Sequence, residues 1–164
     1  MRQDTDRSQN RFTFDTCVLI EMCESPNFAD MLAWRTDING SEIHLCSHAS
    51  DEFRKKGHDI NHIRDRLQEM GARIVTKAVT DEMEHDAARL RSECDMLHYP
   101  DNRILAYARA TETTLVTRDR NLAEAAGLVG TRCINPDLVP CDEQARNVGS
   151  RYRGIVKAWM ATPA

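Results

Sequence analysis

"LVTRDRNLAEAAG", residues 115–127, decides how the chain is read. An apolar, β-prone run ends at Thr117, and a lone carboxylate, Asp119, follows between Arg118 and Arg120. Leu122 to Ala126 then read as a short helix, with Gly127 as its cap. A strand that delivers an acid to the start of a helix is half of a βα unit. Its meaning depends on whether other acids occupy equivalent places.

Outward from this stretch the same pattern recurs. Phe12-Thr13-Phe14 is β-prone and runs into Asp15-Thr16, after which Cys17 to Ile20 continues apolar and turns into a helix. Ser25-Pro26 punctuates, Asn27 can cap a helix carrying Phe28, Met31 and Leu32, and Asn39-Gly40 is a turn. Ile43 to Cys46 reads as a second strand, and Ser47 as the cap of a helix from about His48 to Lys56, stopped by Gly57. Ile60, Ile63, Leu67 and Met70 recur at helical spacing, Gly71 ends that helix, and Ile74-Val75 makes a small third strand. Thr80 opens a longer helix on Met83, Ala87, Leu90, Cys94 and Leu97, carried to Pro100. Asp101 begins the next, with Ile104, Leu105 and Ala108 inward. Thr113 to Thr117 is a strand, and Cys133-Ile134 a last one before Asn135-Pro136. Short strands alternating with helices predict an α/β fold around a parallel sheet. In such sheets ligands gather at the carboxyl ends of the strands, near the topological switch point.

The 164 residues suit one domain, with residues 1–10 as a polar lead-in, 11–141 as the folded unit and 142–164 as a basic helix or tail carrying Arg146, Arg151, Arg153 and Lys157. Hydrophobic residues at 41%, charged residues at 29% and a net charge of −4 describe an ordinary globular chain, and argue against a simple nucleic-acid coat protein. Cys17, Cys23, Cys46, Cys94, Cys133 and Cys141 form no C-x-x-C pair and read as reduced, mostly buried thiols of a cytoplasmic protein. The longest apolar run, Cys17 to Ile20, cannot span a bilayer, so no membrane is expected as a partner.

Placed on this scheme, four acids line up. Asp15 ends the first strand, Glu52 lies one turn into the helix after the second, Asp101 starts a helix, and Asp119 follows the strand behind it. Parallel strands put all four at one end of the sheet, where like charges repel. A divalent cation is the simplest way to keep them there, and oxygen ligands without paired His or Cys favour Mg²⁺ or Mn²⁺. A carboxylate-held metal beside a phosphate activates water and stabilises a leaving oxygen, which is phosphodiester cleavage.

"FDTCVLIEM", "SDEFRKKG", "PDNRILAYA", "LVTRDRNL" and "GTRCINPDLV" together resemble, in order, the motifs of the PIN-domain ribonucleases over roughly residues 12 to 140. The resemblance implies a three-layer α/β/α sandwich with about five parallel strands. It also implies a Mg²⁺- or Mn²⁺-dependent hydrolase of single-stranded or looped RNA, leaving a 5′-phosphate. It carries over Asp15, Asp101 and Asp119 as metal ligands, with Glu52 ligating through water or orienting the nucleophile. Thr16 and Thr117 match the small hydroxyl residues beside the first and last acids. Two positions depart from the pattern. Cys17 replaces an Asn, which would leave a hydrogen bond orienting the first acid unmade. Asn121 stands where many members have a second aspartate, which is compatible with a one-metal site. Many small members are toxins held by an antitoxin and dimerise, so a toxin role, an antitoxin partner and a homodimer are expectations of the same kind. An RNA-processing role and a non-catalytic RNA-binding scaffold are the alternatives, with a DNA substrate a weaker one.

Around the acids, Arg118, Arg120, Arg54 and Arg103 are the expected contacts to RNA phosphate, with Lys55 and Lys56 in the same basic rim. Taken singly, each signal has a plainer reading. Asp15 suits a turn or cap, Asp101 suits a helix start, and Glu52 can pair with Lys56 at i, i+4. His58 and His62 share zinc-like spacing but lack a third ligand, and His44 and His48 straddle a strand–helix junction. Trp34 and Trp159 read as packing or interface residues.

Overall fold

The computed structural model describes residues 11–25, 28 and 40–134. Five strands, β1 (Arg11–Phe14), β2 (Glu42–His44), β3 (Arg73–Val75), β4 (Thr114–Val116) and β5 (Cys133–Ile134), form one sheet in the order β3-β2-β1-β4-β5. Every pairing is parallel, as Phe12 opposite Ile43 and Thr13 opposite Leu115 illustrate. The described helices are α1 (Thr16–Glu24), α2 (Ser47–Lys55), α3 (Ile60–Glu69), α4 (Asp81–Glu93), α5 (Asp101–Thr111) and α6 (Arg120–Leu128). The chain moves from β1 outward to β3, then returns to the other side of β1 with β4. The switch point therefore lies between β1 and β4, where Asp15 N–H donates to the Val116 carbonyl at 3.0 Å.

Two apolar layers sandwich the sheet. Phe12, Phe14, Ile43 and Val116 pack with Leu19, Phe53, Ile63 and Leu67 on one face. Leu115 packs with Leu90, Ile104, Leu105 and Leu122 on the other. This is the three-layer α/β/α arrangement that the alternation of elements predicts. None of the helices among the described residues is long and apolar enough to cross a membrane.

Helix starts follow capping chemistry. Asp59 accepts from Asn61 N–H at 2.9 Å and Thr80 from Met83 N–H at 3.3 Å. Several expected boundaries differ. β2 ends at His44 and β4 at Val116, short of the expected Cys46 and Thr117. The helix opened by Thr80 stops at Glu93, not near Pro100: Cys94 turns extended, while Cys94 and Leu97 stay buried. Their spacing reflected burial in a turn rather than helical geometry. Gly127 lies inside α6, which runs on to Leu128, and the left-handed turn falls on Gly130 at φ 72°. Ser47 is the first helical residue; Cys46 holds the cap position, without a side-chain cap bond. The Asn27-capped helix, Trp34, Trp159 and the basic tail lie outside the described residues.

One polar chain crosses the apolar layers. His44, fully buried, faces Glu42 Oε1 through Nε2 at 2.6 Å and Tyr107 Oη through Nδ1 at 2.8 Å. Nε2–H donates to the carboxylate, so in the neutral ring Nδ1 accepts from the tyrosine hydroxyl. Burial lowers the His44 pKa against the pull of Glu42, keeping the ring neutral. Arg73 and Arg11 close the chain on Glu42. Tyr107→Phe strips the donor from a buried acceptor and should cost about 1–3 kcal/mol of stability. Urea unfolding at neutral pH measures this as a lower midpoint at unchanged slope; an unchanged midpoint would show that the bond adds nothing.

Candidate active site

Three of the four acids are positioned by helix starts. Asp15 is the N-cap of α1, its Oδ1 accepting from Thr16 N–H at 2.7 Å. Asp119 is the N-cap of α6, its Oδ1 accepting from Asn121 N–H at 2.8 Å and Leu122 N–H at 3.0 Å. Asp101 is the first residue of α5. Each carboxylate meets the positive end of a helix dipole, which offsets part of the cost of crowding anions. The capping reading and the site reading thus describe the same side chains. Glu52 sits midway along α2, half-exposed, with Lys56 Nζ at 3.3 Å, the i, i+4 pair its spacing allows.

Asp15 is almost wholly buried. Its Oδ2 accepts from Thr117 Oγ1 at 2.7 Å and from Cys17 Sγ at 3.2 Å. Thr117 Oγ1 in turn accepts from Asp119 N–H at 3.0 Å, so one hydroxyl ties the first acid to the last. The expected loss of an orienting bond at Cys17 does not occur, because the thiol supplies it. Burial and the Asp15 charge push the Cys17 pKa up to about 12, which keeps the thiol protonated and able to donate. A Cys two residues after a capping Asp was the available sequence signal. Thr16 acts on Asp15 through its backbone; its hydroxyl donates away, to the Ala49 carbonyl at 3.4 Å. Asn121 likewise contributes its backbone N–H.

The acids share one field. Burial raises the Asp15 pKa, the bonds from Thr117, Cys17 and Thr16 lower it, and the Glu52 charge raises it again. Asp101 is pushed up to about 7, first by burial, then by the charges of Asp15, Asp119 and Glu52, with a hydrogen bond to Asp119 adding to the effect. Asp101 therefore feels the charges of Asp15, Asp119 and Glu52 and shares a hydrogen bond with Asp119. Among the described residues, however, no three His, Cys, Asp or Glu side chains approach closely enough to form a metal-holding group as placed. The donor chemistry and the charge excess fit a hard dication.

The basic residues are less uniform. Arg118 pairs with Glu21 at 2.8 Å and stands 5.9 Å from the Phe28 ring centroid, so it is anchored toward α1. Arg103 donates to Glu84 at 2.6 and 2.9 Å and lies over the Tyr99 ring. Arg54, largely exposed, faces Asp51 at 3.6 Å. Arg120 is exposed and pairs with no acid among the described residues. The histidine pairs resolve separately: His58 stacks on Phe53, and His48 faces Glu84 and Tyr99. Cys46 and Cys94 are buried, and Cys17, Cys23 and Cys133 half-buried, all as free thiols; Cys141 lies outside the described residues.

Asp101 carries a linked prediction. Its folded pKa lies above the 3.8 of an unfolded carboxyl, so the folded chain binds more protons between about pH 4 and 7. Without divalent cation, stability should fall as pH rises through that window. Asp101→Asn should then melt higher than the parent at pH 8 by a larger margin than at pH 4, followed by circular dichroism in chelator. A constant gap between the two melting curves would refute the shared field.

Comparison with known proteins places this geometry. A family model described as "PIN domain" matches residues 12–128. The fold is similar to that of a chain from a toxin–antitoxin complex of Klebsiella pneumoniae, with TM-score 0.53 and 22% identity, covering 68% of this chain and 89% of that one. It is also similar to a chain of VapBC2 from Rickettsia felis bound to a promoter DNA fragment, with TM-score 0.56, 15% identity and coverage of 76% and 98%. A chain of FitAcB from Neisseria gonorrhoeae gives TM-score 0.54, 20% identity and coverage of 77% and 99%. Among curated proteins, none matches. The matched family segment takes in β2, β3, β4, all of β1 but Arg11, and all four acids, and the chain belongs to the PIN domain family.

Proposed function

We propose that the protein is a divalent-metal-dependent endoribonuclease acting on single-stranded or looped RNA in the cytoplasm. The observation that carries this reading is that Asp101, raised first by burial, also feels the charges of Asp15, Asp119 and Glu52 from separate elements. Family membership supports a nuclease. Asp15, Asp101 and Asp119 would hold Mg²⁺ or Mn²⁺, which when bound supplies a polarised water and stabilises charge on the leaving oxygen. Glu52 would orient the attacking water. Thr117 and Cys17 fix Asp15 by donating to Oδ2, and Thr117 couples that position to Asp119. Arg120, exposed beside Asp119, is the best-placed contact for RNA phosphate.

The similar folds come from toxin–antitoxin complexes, which supports a toxin role with an antitoxin protein as partner. Dimerisation would follow that pattern, and an RNA-processing role shares the same chemistry. A non-catalytic RNA-binding scaffold is the second reading. What favours it is that no three ligand-type side chains among the described residues stand at metal-holding distance.

Incubation of the chain with a structured RNA separates the two. Cleavage in Mn²⁺ or Mg²⁺ that vanishes in chelator and in Asp15→Asn supports the nuclease; binding without cutting in every arm supports the scaffold. Thr117→Val keeps the shape but removes the hydroxyl tie, and should lower cleavage or metal affinity by about 10–100-fold, the usual cost of losing a ligand's supporting bond. Mn²⁺ titration of the cleavage rate measures it, and parent-like behaviour would remove Thr117 from the site.

A further inference from the structure

We propose that the cleft between α4 and α5 is a subsite for one unpaired nucleotide of the RNA substrate, with the Tyr99 ring as the stacking platform for its base. The proposal rests on the nuclease reading and adds where the strand lies relative to the acids. The cleft measures about 470 Å³ and is walled by Glu84 and Arg91 on α4 and by Tyr99, Asn102 and Arg103 at the start of α5. That volume falls within the range of small-ligand sites. Asp101 stands between Tyr99 and Arg103 in the chain, one residue before Asn102 of the cleft wall.

Four features suit it to a nucleotide. Tyr99 and Leu128 are the exposed large hydrophobic side chains among the described residues, and Tyr99, 53% exposed, lines this cleft. Its ring is also braced: the Arg103 guanidinium lies 4.4 Å from its centroid, and His48 meets it edge-on at 5.8 Å. Glu84 fixes both braces, accepting from Arg103 at 2.6 Å and facing His48 Nε2 at 3.4 Å. An aromatic face held in place before binding loses little freedom when a base stacks on it. Arg91 on the opposite wall is exposed and pairs with no acid among the described residues, leaving a cation for the backbone phosphate.

The last feature is a fixed wall: the buried Asn102 donates from Nδ2 to the Ala87 carbonyl at 3.2 Å, tying α5 to α4. A duplex hides its base faces, so this site selects single-stranded or looped RNA.

Fluorescence anisotropy of a labelled single-stranded RNA of about ten nucleotides, a length of the order that single-strand sites cover, tests the platform in chelator, where no cutting occurs. Tyr99→Ala should weaken binding by about 5- to 100-fold, the usual worth of one base–aromatic stack. Tyr99→Leu, which keeps bulk without a π-face, should fall with it, and Tyr99→Phe should bind like the parent. An abasic strand of equal length should bind parent and Tyr99→Ala alike. Circular dichroism checks that each variant is folded. If Tyr99→Ala matches the parent while Mn²⁺-dependent cutting persists, the subsite is wrong and the nuclease stands. If the parent neither binds nor cuts RNA, the nuclease reading falls and takes the subsite with it.

Discussion

The fold is arranged around an electrostatic difficulty: four carboxylates brought to the same end of a parallel sheet. A parallel sheet makes the gathering unavoidable, because every strand ends on that side and every following loop begins there. The protein meets the repulsion locally. Asp15 and Asp119 accept backbone N–H groups at helix starts, and Asp101 occupies the first turn of α5. At Asp101 burial, and then the charges the helix ends leave uncompensated, hold the proton to about neutral pH. In the proposed nuclease, that residual charge is what would draw a hard cation to the site.

Thr117 is the hinge of this arrangement. It stands in the last residue pair before the switch-point crevice, fully buried, and its one hydroxyl both donates to Asp15 and accepts from the backbone of Asp119. A small hydroxyl side chain is needed because it must do both within a strand end already packed on either side. Cys17 completes the shell around Asp15 by a weaker bond, at 3.2 Å from sulfur. A thiol in this position holds its proton because the neighbouring carboxylate and burial both oppose ionisation. The basic residues play a more divided part than a continuous rim: Glu21 and Glu84 occupy Arg118 and Arg103, while Arg120 and Arg91 face solvent.

Most of the fold was legible in the sequence because its signals are local. Alternating strands and helices, the acids at strand ends and the order of the five motifs lead to the observed sheet. Legibility failed where one signal had two causes. Cys94 and Leu97 continued a helical spacing yet are buried in a turn, since periodicity reports which residues face the core and not how the backbone gets there. Gly127 had the composition of a stop, but the positive φ fell three residues later, at Gly130. In the site, the acids were legible and their partners were not. That Arg103 is taken by Glu84, or that Cys17 donates to Asp15, depends on side-chain directions between distant elements, which no spacing rule encodes.

The buried His44 has a consequence for which pairing of the strands survives. Side chains along a strand alternate between faces, so sliding β2 by one residue would turn His44 toward the layer of Phe12 and Phe14. Its Nδ1 would then lie among hydrocarbon without Tyr107 to meet it, and Glu42, on the same strand and face, would be carried into the apolar layer with it. Arg11 and Arg73, one on each neighbouring strand, would lose their common carboxylate in the same move. A short three-residue strand of purely aliphatic residues could tolerate misalignment; this one is keyed, and the key also fixes how far along the sheet the connection to α2, the helix carrying Glu52, begins.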